Sequence, residues 1–366
     1  MRFVYFTHSL ASCWNHGNVH FLRGILRELQ ARGHQARAVE PAEGWSRANL
    51  VTDHGVGALQ RFASDFAGLE TSTYGASPEV DSLVDGADVV IVHEWTDAAV
   101  IAAVGRARKQ GARFTLLFHD THHRGVSDRA ALRALDLSGY DAVLAFGASL
   151  VDVYRSEGWG ARVFVWHEAA DTALFRPPVH ETERDGIVWI GNWGDGERSD
   201  ELRRFLLEPA ARVDLPLDIF GVRYPDDALR MLAMHGAHYH GWLANARAPE
   251  VFARHLATVH VPRRYYATVL PGIPTIRVFE ALACGIPLIS APWHDTEHLF
   301  RPGQDFLVAQ DGPAMERHLR ALRGDAGLRD ALAASGLEII RARHSCAHRV
   351  DELLSILTTL RQSVAA

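Results

Sequence analysis

The chain has 366 residues, 48% of them hydrophobic, which is enough for two domains with separate cores. A net charge of −6 argues against nucleic acid as a main partner. Three cysteines (Cys13, Cys284, Cys346), too far apart for metal or redox spacing, read as reduced buried thiols.

The N-terminal stretch MRFVYFTHSL is too short an apolar run for a signal peptide, and no later run approaches membrane-spanning length. A soluble, cytoplasmic protein is expected. Lys109 is the only lysine among 38 basic residues, so there is no GxxxxGK loop. Phosphate must be met by arginine, histidine or backbone amides.

Phe3 to Phe6 predicts a strand, followed by the loop SLASCWNHGN and a helix over residues 19–32 with Ile25, Leu26 and Leu29 on its apolar face. Gln35 to Val39 is the next strand. A strand, a glycine-bearing loop and a helix bring backbone amides near an anion or a sugar. An ordinary βα turn at Gly17 is the plainer alternative. Arg23, Arg27, Arg32 and Arg37 read as a solvated face or a patch for peripheral membrane association, and nothing stronger.

Asp88 to Val92 and Phe114 to Phe118 are further buried strands, with a helix between them over 98–110. Alternation of short apolar strands with helices predicts a parallel, doubly wound sheet, whose ligands gather at the strands' carboxyl ends. Those ends carry His93-Glu94-Trp95 and His119-Asp120-Thr121-His122-His123-Arg124. The second cluster admits a metal site, a merely polar loop or a substrate-facing site; its spacing matches no structural zinc pattern, and no metal is assigned. Asp141 to Phe146 and Arg162 to Val165 complete the sheet. Pro177-Pro178 and the charged run Glu181 to Asp185 read as a linker, which places a boundary near residue 178.

The alternation restarts at Ile187 to Ile190. Gly191-Asn192-Trp193-Gly194-Asp195-Gly196 follows, then Arg198 and a helix over 200–213. The loop reads GxxGxG rather than GxGxxG, which disfavours a nicotinamide enzyme. Leu217 to Phe220, His238 to Trp242 and Thr258 to Val261 are strands. Trp242 either stacks on a base or belongs to the core. The last helices are expected over 314–323, 327–343 and 347–362.

The most informative stretch is PGIPTIRVFEALACGIPLISAPWHDTEHLFRPGQDFL, Pro271 to Leu307. Thr275 to Cys284 has helical spacing, Gly285 stops the helix, and Ile286 to Ser290 is a buried strand. Glu280 is the lone carboxylate deep in that apolar helix. It must face solvent or accept hydrogen bonds, and two ribose hydroxyls suit it.

Arg277-x-Phe279-Glu280-Ala281-x-Ala283-x-Gly285-x-Pro287, with Glu297 and Gly303 beyond, resembles the donor-binding signature of the glycosyltransferase-B superfamily. Within it, the chain is similar to the group 1 (family-4-like) and spore-maturation-protein-like enzymes. The resemblance implies two Rossmann-like α/β domains facing a cleft: an acceptor domain over 1–178, a nucleotide-sugar domain over 179–345, and a C-terminal helix, 346–366, crossing back to the first. It implies that Glu280 binds ribose and that Arg198, the Thr275 and Ile276 amides and Arg277 meet the diphosphate. Gly17, Gly191, Asn192 and Trp242 border the donor. His119 positions sugar and acceptor, Asp120 is the next catalytic candidate, and His16 and His93 lie on the acceptor side.

Two departures stand out. Arg198 is the only basic residue in its loop, where the family has an arginine–lysine pair. Gly272 stands where retaining relatives carry a glutamate that contacts the donor hexose. The expected function is metal-independent transfer of a hexose from a nucleotide diphosphate sugar, UDP first, to an unidentified acceptor, with retention. No cofactor is expected beyond that co-substrate. A nucleotide-sugar epimerase or a non-catalytic nucleotide-sugar-binding protein are the alternatives. Should the reaction invert, Asp120 or His16 is the nearest base.

Overall fold

The computed structural model describes residues 1–180, 183–194 and 196–365. Glu181 and Thr182, which open the charged linker run, and Asp195 of the glycine-rich loop lie outside the described residues. The chain forms two compact units, Met1–Glu168 together with the segment from Cys346 onward, and Ala169–Ser345. Residues 169–178, read above as the end of the first domain, sit with the second unit. Phe175 anchors them there, 1% exposed in a core with Val188, Phe279 and Phe306.

The first unit is built on seven parallel strands: β1 (Arg2–Phe6), β2 (Gln35–Pro41), β3 (Glu70–Tyr74), β4 (Val89–His93), β5 (Thr115–Asp120), β6 (Ala142–Ala145) and β7 (Val163–Val165). Their order is β3-β2-β1-β4-β5-β6-β7. Strands β1, β4, β5 and β6 are central and apolar along almost their whole length, as a sheet covered on both faces requires. The helix Asn18–Ala31 packs Val19, Leu22, Ile25, Leu26 and Leu29 inward. The C-terminal helix Cys346–Ala365 belongs to this unit: Val350, Leu353 and Leu357 are buried, and the Trp166 indole donates to the Arg349 carbonyl at 2.8 Å. Strand β3 was not read from sequence, because its residues ETSTY are polar and mostly half-exposed at the sheet's edge.

The second unit has six parallel strands: β8 (Ile187–Ile190), β9 (Leu217–Phe220), β10 (His238–Gly241), β11 (Ala257–His260), β12 (Leu288–Ser290) and β13 (Leu307–Val308). Their order is β10-β9-β8-β11-β12-β13. In both sheets the order reverses once, beside β1 and β4 in one and beside β8 and β11 in the other. A crevice opens at such a switch point, beyond the strands' carboxyl ends. Beside the second switch point Gly221 has φ +158, and a Cβ there would lie 2.0 Å from the Gly191 carbonyl oxygen, so only glycine lets the two loops meet. No described helix is long and apolar enough to cross a membrane.

Candidate functional site

In the first unit the switch point is lined by the loop after β1. Two buried charges hold its backbone from opposite sides. The Leu10 and Ala11 amides donate to Glu40 Oε2 at 2.5 and 3.3 Å. Arg23 donates to the carbonyl of Leu10 at 2.7 and 3.0 Å and to that of Ala11 at 3.2 Å. The Arg23 guanidinium lies 4.2 Å over the Phe66 ring and 5.2 Å over Phe62, and the residue is 2% exposed. This clamp sets the path of a loop that carries His8 and His16.

Four imidazoles run across the strand ends. The ring of His8 is 4.1 Å from His16 and 5.9 Å from His93, and His93 is 5.5 Å from His119. His119 exchanges a hydrogen bond with the Tyr5 hydroxyl through Nδ1, and its buried Nε2 has no partner among the described residues. Asn18 Nδ2 donates to His93 Nε2 at 2.8 Å. Burial pushes His8 down to about 4 and His119 to about 3. Burial, then the neighbouring imidazoles, push His16 and His93 well below the usual range. All four are neutral at pH 7, and each offers one donor and one acceptor nitrogen.

Asp120 accepts from the Tyr154 hydroxyl at 2.6 Å and from the His122 amide at 2.9 Å. Burial pushes it up to about 6. Glu94, 3% exposed at the end of the adjacent strand, is held well above the carboxylate range by burial and then by Asp120. Its Oε2 lies 3.6 Å from Arg124, while Oε1 is buried without a partner among the described residues. Among the described residues no three His, Cys, Asp or Glu side chains converge as a metal site.

These shifts make stability depend on pH with a definite sign. His119 is neutral in the fold down to about 3, whereas an unfolded histidine binds a proton below about 6.5. Its contribution is therefore present above pH 6.5 and is lost as pH falls from there towards 3. Asp120 acts oppositely: its raised value favours the fold as pH falls from about 6 towards 3.8. His119→Gln should lose less stability than wild type between pH 7 and pH 5 in urea melts. Parallel slopes for the two proteins would count against a buried neutral His119.

In the second unit, Gly191 and Asn192 follow β8. Arg198 is buried beneath their loop and donates to the Asn192 carbonyl at 2.9 Å, to Asn192 Oδ1 at 2.8 Å and to the Val261 carbonyl at 3.1 Å. It thus ties the ends of β8 and β11 together. Arg263, not selected from sequence, reaches Asn192 Oδ1 at 3.5 Å and pairs with Glu197 at 2.8 Å. Folding therefore supplies a second guanidinium that the loop's own sequence lacks. His260 ends β11 and bonds Ser290 Oγ through Nδ1 at 2.9 Å, while its buried Nε2 has no partner among the described residues. Burial, then Arg198, hold it down at about 3.

The helix Ile276–Ala283 begins at Thr275, whose side chain makes no capping bond, so the first-turn amides around Ile276 keep their donors. Glu280 is fully buried. Its carboxylate accepts from Arg277 on one oxygen and from Asn245 Nδ2 at 3.4 Å on the other. Arg277 is thus turned onto Glu280. Trp242 is half-buried just past edge strand β10. Gly17 lies in the first unit, where it caps the helix Asn18–Ala31 with φ −92.

Gly272 has φ +89, and a Cβ there would lie 2.3 Å from Thr296 Oγ1 and 3.5 Å from Glu297 Oε1. A side chain at this position is strained whatever its chemistry. Gly272→Ala should cost about 1–3 kcal/mol in urea denaturation; an unchanged midpoint would show that the loop relaxes freely. His8, Arg263, His260 and Asn245 were missed on sequence, and Glu94 was noted at its strand end without a role. Position at a strand's carboxyl end was the available signal for Glu94 and His260.

Residues 198–355 match the family model described as "Glycosyl transferase-like". No curated protein matches the chain in sequence. Among solved structures, the chain is similar to sucrose-phosphate synthase from Thermosynechococcus elongatus (13% identity, TM-score 0.65, 99% of this chain and 100% of that one). It is also similar to Anabaena HepE in complex with UDP and glucose (14%, TM-score 0.68, 98% and 99%). A third is an alpha-glucosyltransferase in complex with UDP and a 13-mer DNA containing an HMU base (15%, TM-score 0.69, 98% and 99%). The shared fold is that of the glycosyltransferase-B enzymes.

Proposed function

We propose that this chain, a glycosyltransferase of the glycosyltransferase-B superfamily, moves a hexose from a nucleotide diphosphate sugar, UDP-linked, to an acceptor held by its first unit. The observation that carries the reading is Glu280, a fully buried carboxylate little more than a turn into a helix whose N-terminus has no side-chain cap. Such a terminus offers amides and a positive dipole end to a diphosphate, and the carboxylate offers acceptors to ribose hydroxyls. Solved structures of the same fold that hold UDP support the choice of nucleotide.

Arg198 and Arg263 gather beside Asn192 and stabilise negative charge as the diphosphate departs, a role that requires no divalent ion. His119 orients the sugar and the acceptor. With retention, the departing phosphate takes the acceptor's proton. One observation favours a second reading, inversion: Glu94 and Asp120 lie at adjacent strand ends with raised proton affinity, and Glu94 Oε1 has no partner among the described residues. A carboxylate in that setting can accept the acceptor's proton.

The test supplies UDP-glucose and UDP-galactose with EDTA present and reads UDP release, then the anomeric coupling of the product by proton NMR. UDP release with an α-linked product from an α-linked donor is the expected result. A β-linked product, with activity lost in Glu94→Gln, establishes inversion. Free sugar or an epimer formed without acceptor would identify an epimerase, and nucleotide binding without turnover a sensor. Release abolished by EDTA would refute metal independence.

A further inference from the structure

We propose that the acceptor is a neutral, polyhydroxylated compound, a sugar ring seated on the Trp95 indole and hydrogen-bonded by His8, His16 and His119. The inference rests on the glycosyltransferase reading and adds the chemical class of the acceptor. Trp95 follows β4 directly and is 45% exposed. Arg124 covers one face of its ring at 4.0 Å, and the His122 ring lies 5.0 Å away at an interplanar angle of 74°. The residue keeps apolar surface open at the strands' carboxyl ends, where ligands gather, and a flat indole accommodates the C–H face of a pyranose.

From that ring a row of imidazoles runs along the strand ends, His8 to His16 at 4.1 Å and His8 through His93 to His119 at 5.9 and 5.5 Å. The row and its neighbours carry buried polar atoms without partners among the described residues: His8 Nδ1, His16 Nε2, His119 Nε2, Glu94 Oε1 and Thr96 Oγ1. The His8 ring is 6.4 Å from that of Trp95. Buried polar atoms require partners, and neutral imidazole nitrogens, a hydroxyl and a carboxyl oxygen together offer both donors and acceptors. A polyol fits such an array, since each hydroxyl both donates and accepts.

Charge decides against the alternatives. The imidazoles are neutral, and the unit's nearby cations are engaged: Arg124 with Glu94 and Trp95, Arg23 with the Leu10 and Ala11 carbonyls. A phosphorylated acceptor would meet a carboxyl pair here, Glu94 and Asp120, beside arginines that are already engaged. The exposed large apolar residues of the described part of this unit are Met1, Trp45, Val56 and Trp95, which is too few aliphatic groups for a lipid surface.

Saturation-transfer NMR on the full chain with UDP present tests the proposal. The probes are maltose, cellobiose and lactose, beside glucose 6-phosphate, a DNA oligonucleotide and phosphatidylglycerol vesicles. The expected result is transfer to ring protons of at least one neutral disaccharide, weakened about tenfold in Trp95→Ala and less in Trp95→Phe, with UDP affinity unchanged. Absence of transfer to every neutral sugar would overturn the proposal. So would transfer unaffected by Trp95→Ala, or preference for the phosphorylated sugar, the DNA or the vesicles. UDP titration of the same samples separates the two levels: failure to bind UDP refutes the donor reading, while the Trp95 dependence alone judges the acceptor class.

Discussion

Arg23→Met should lower the stability of the chain by about 3 kcal/mol, measured by urea denaturation at pH 7.5. Methionine replaces the stem but none of the donors, so the carbonyls of Leu10 and Ala11 lose three hydrogen bonds inside the fold. The guanidinium also leaves the faces of Phe62 and Phe66, and Glu40 has one fewer cation nearby. The same change at exposed Arg61 should stay within about 0.5 kcal/mol. An Arg23→Met cost below about 1 kcal/mol would show that the loop after β1 is held by other contacts.

Glu280→Gln should weaken UDP binding more than tenfold, about 1.4 kcal/mol, in calorimetric titration. The amide preserves shape and can still meet Asn245, but it presents one acceptor oxygen where the carboxylate presents two. It also releases Arg277, whose guanidinium is partly exposed and can turn to solvent, so the fold should survive with an unchanged circular dichroism spectrum. Equal affinity in variant and wild type would remove Glu280 from the nucleotide site and leave it a structural partner of Arg277.

Much of the fold was legible because apolar strands buried on both faces announce themselves without context. DVVIV, FTLLF and IVWI read as buried strands, and they overlap β4, β5 and β8 to within two residues at either end. The strands that escaped notice, β3 and β13, are edge strands with half-exposed residues, where the hydrophobic signal is weak. The boundary reading followed Pro177-Pro178, whereas packing of Phe175 places the preceding residues in the second unit. At the sites, Glu280 was visible as the one carboxylate deep in an apolar helix. Arg263 was not: it lies far from Arg198 in the chain, and only the pairing of β8 with β11 brings both to Asn192. Glu94 was visible at its strand end, yet its partnership with Asp120 depends on the register that sets His93 against His119.

The central claim is that the second unit binds a nucleotide diphosphate sugar through its nucleotide. Calorimetric titration of UDP, GDP and dTDP into the wild-type chain, with EDTA present, tests this most directly. The account predicts that UDP binds with 1:1 stoichiometry and that the other two bind at least tenfold more weakly. Binding by none of the three would contradict it and leave the chain with the fold but without the proposed activity.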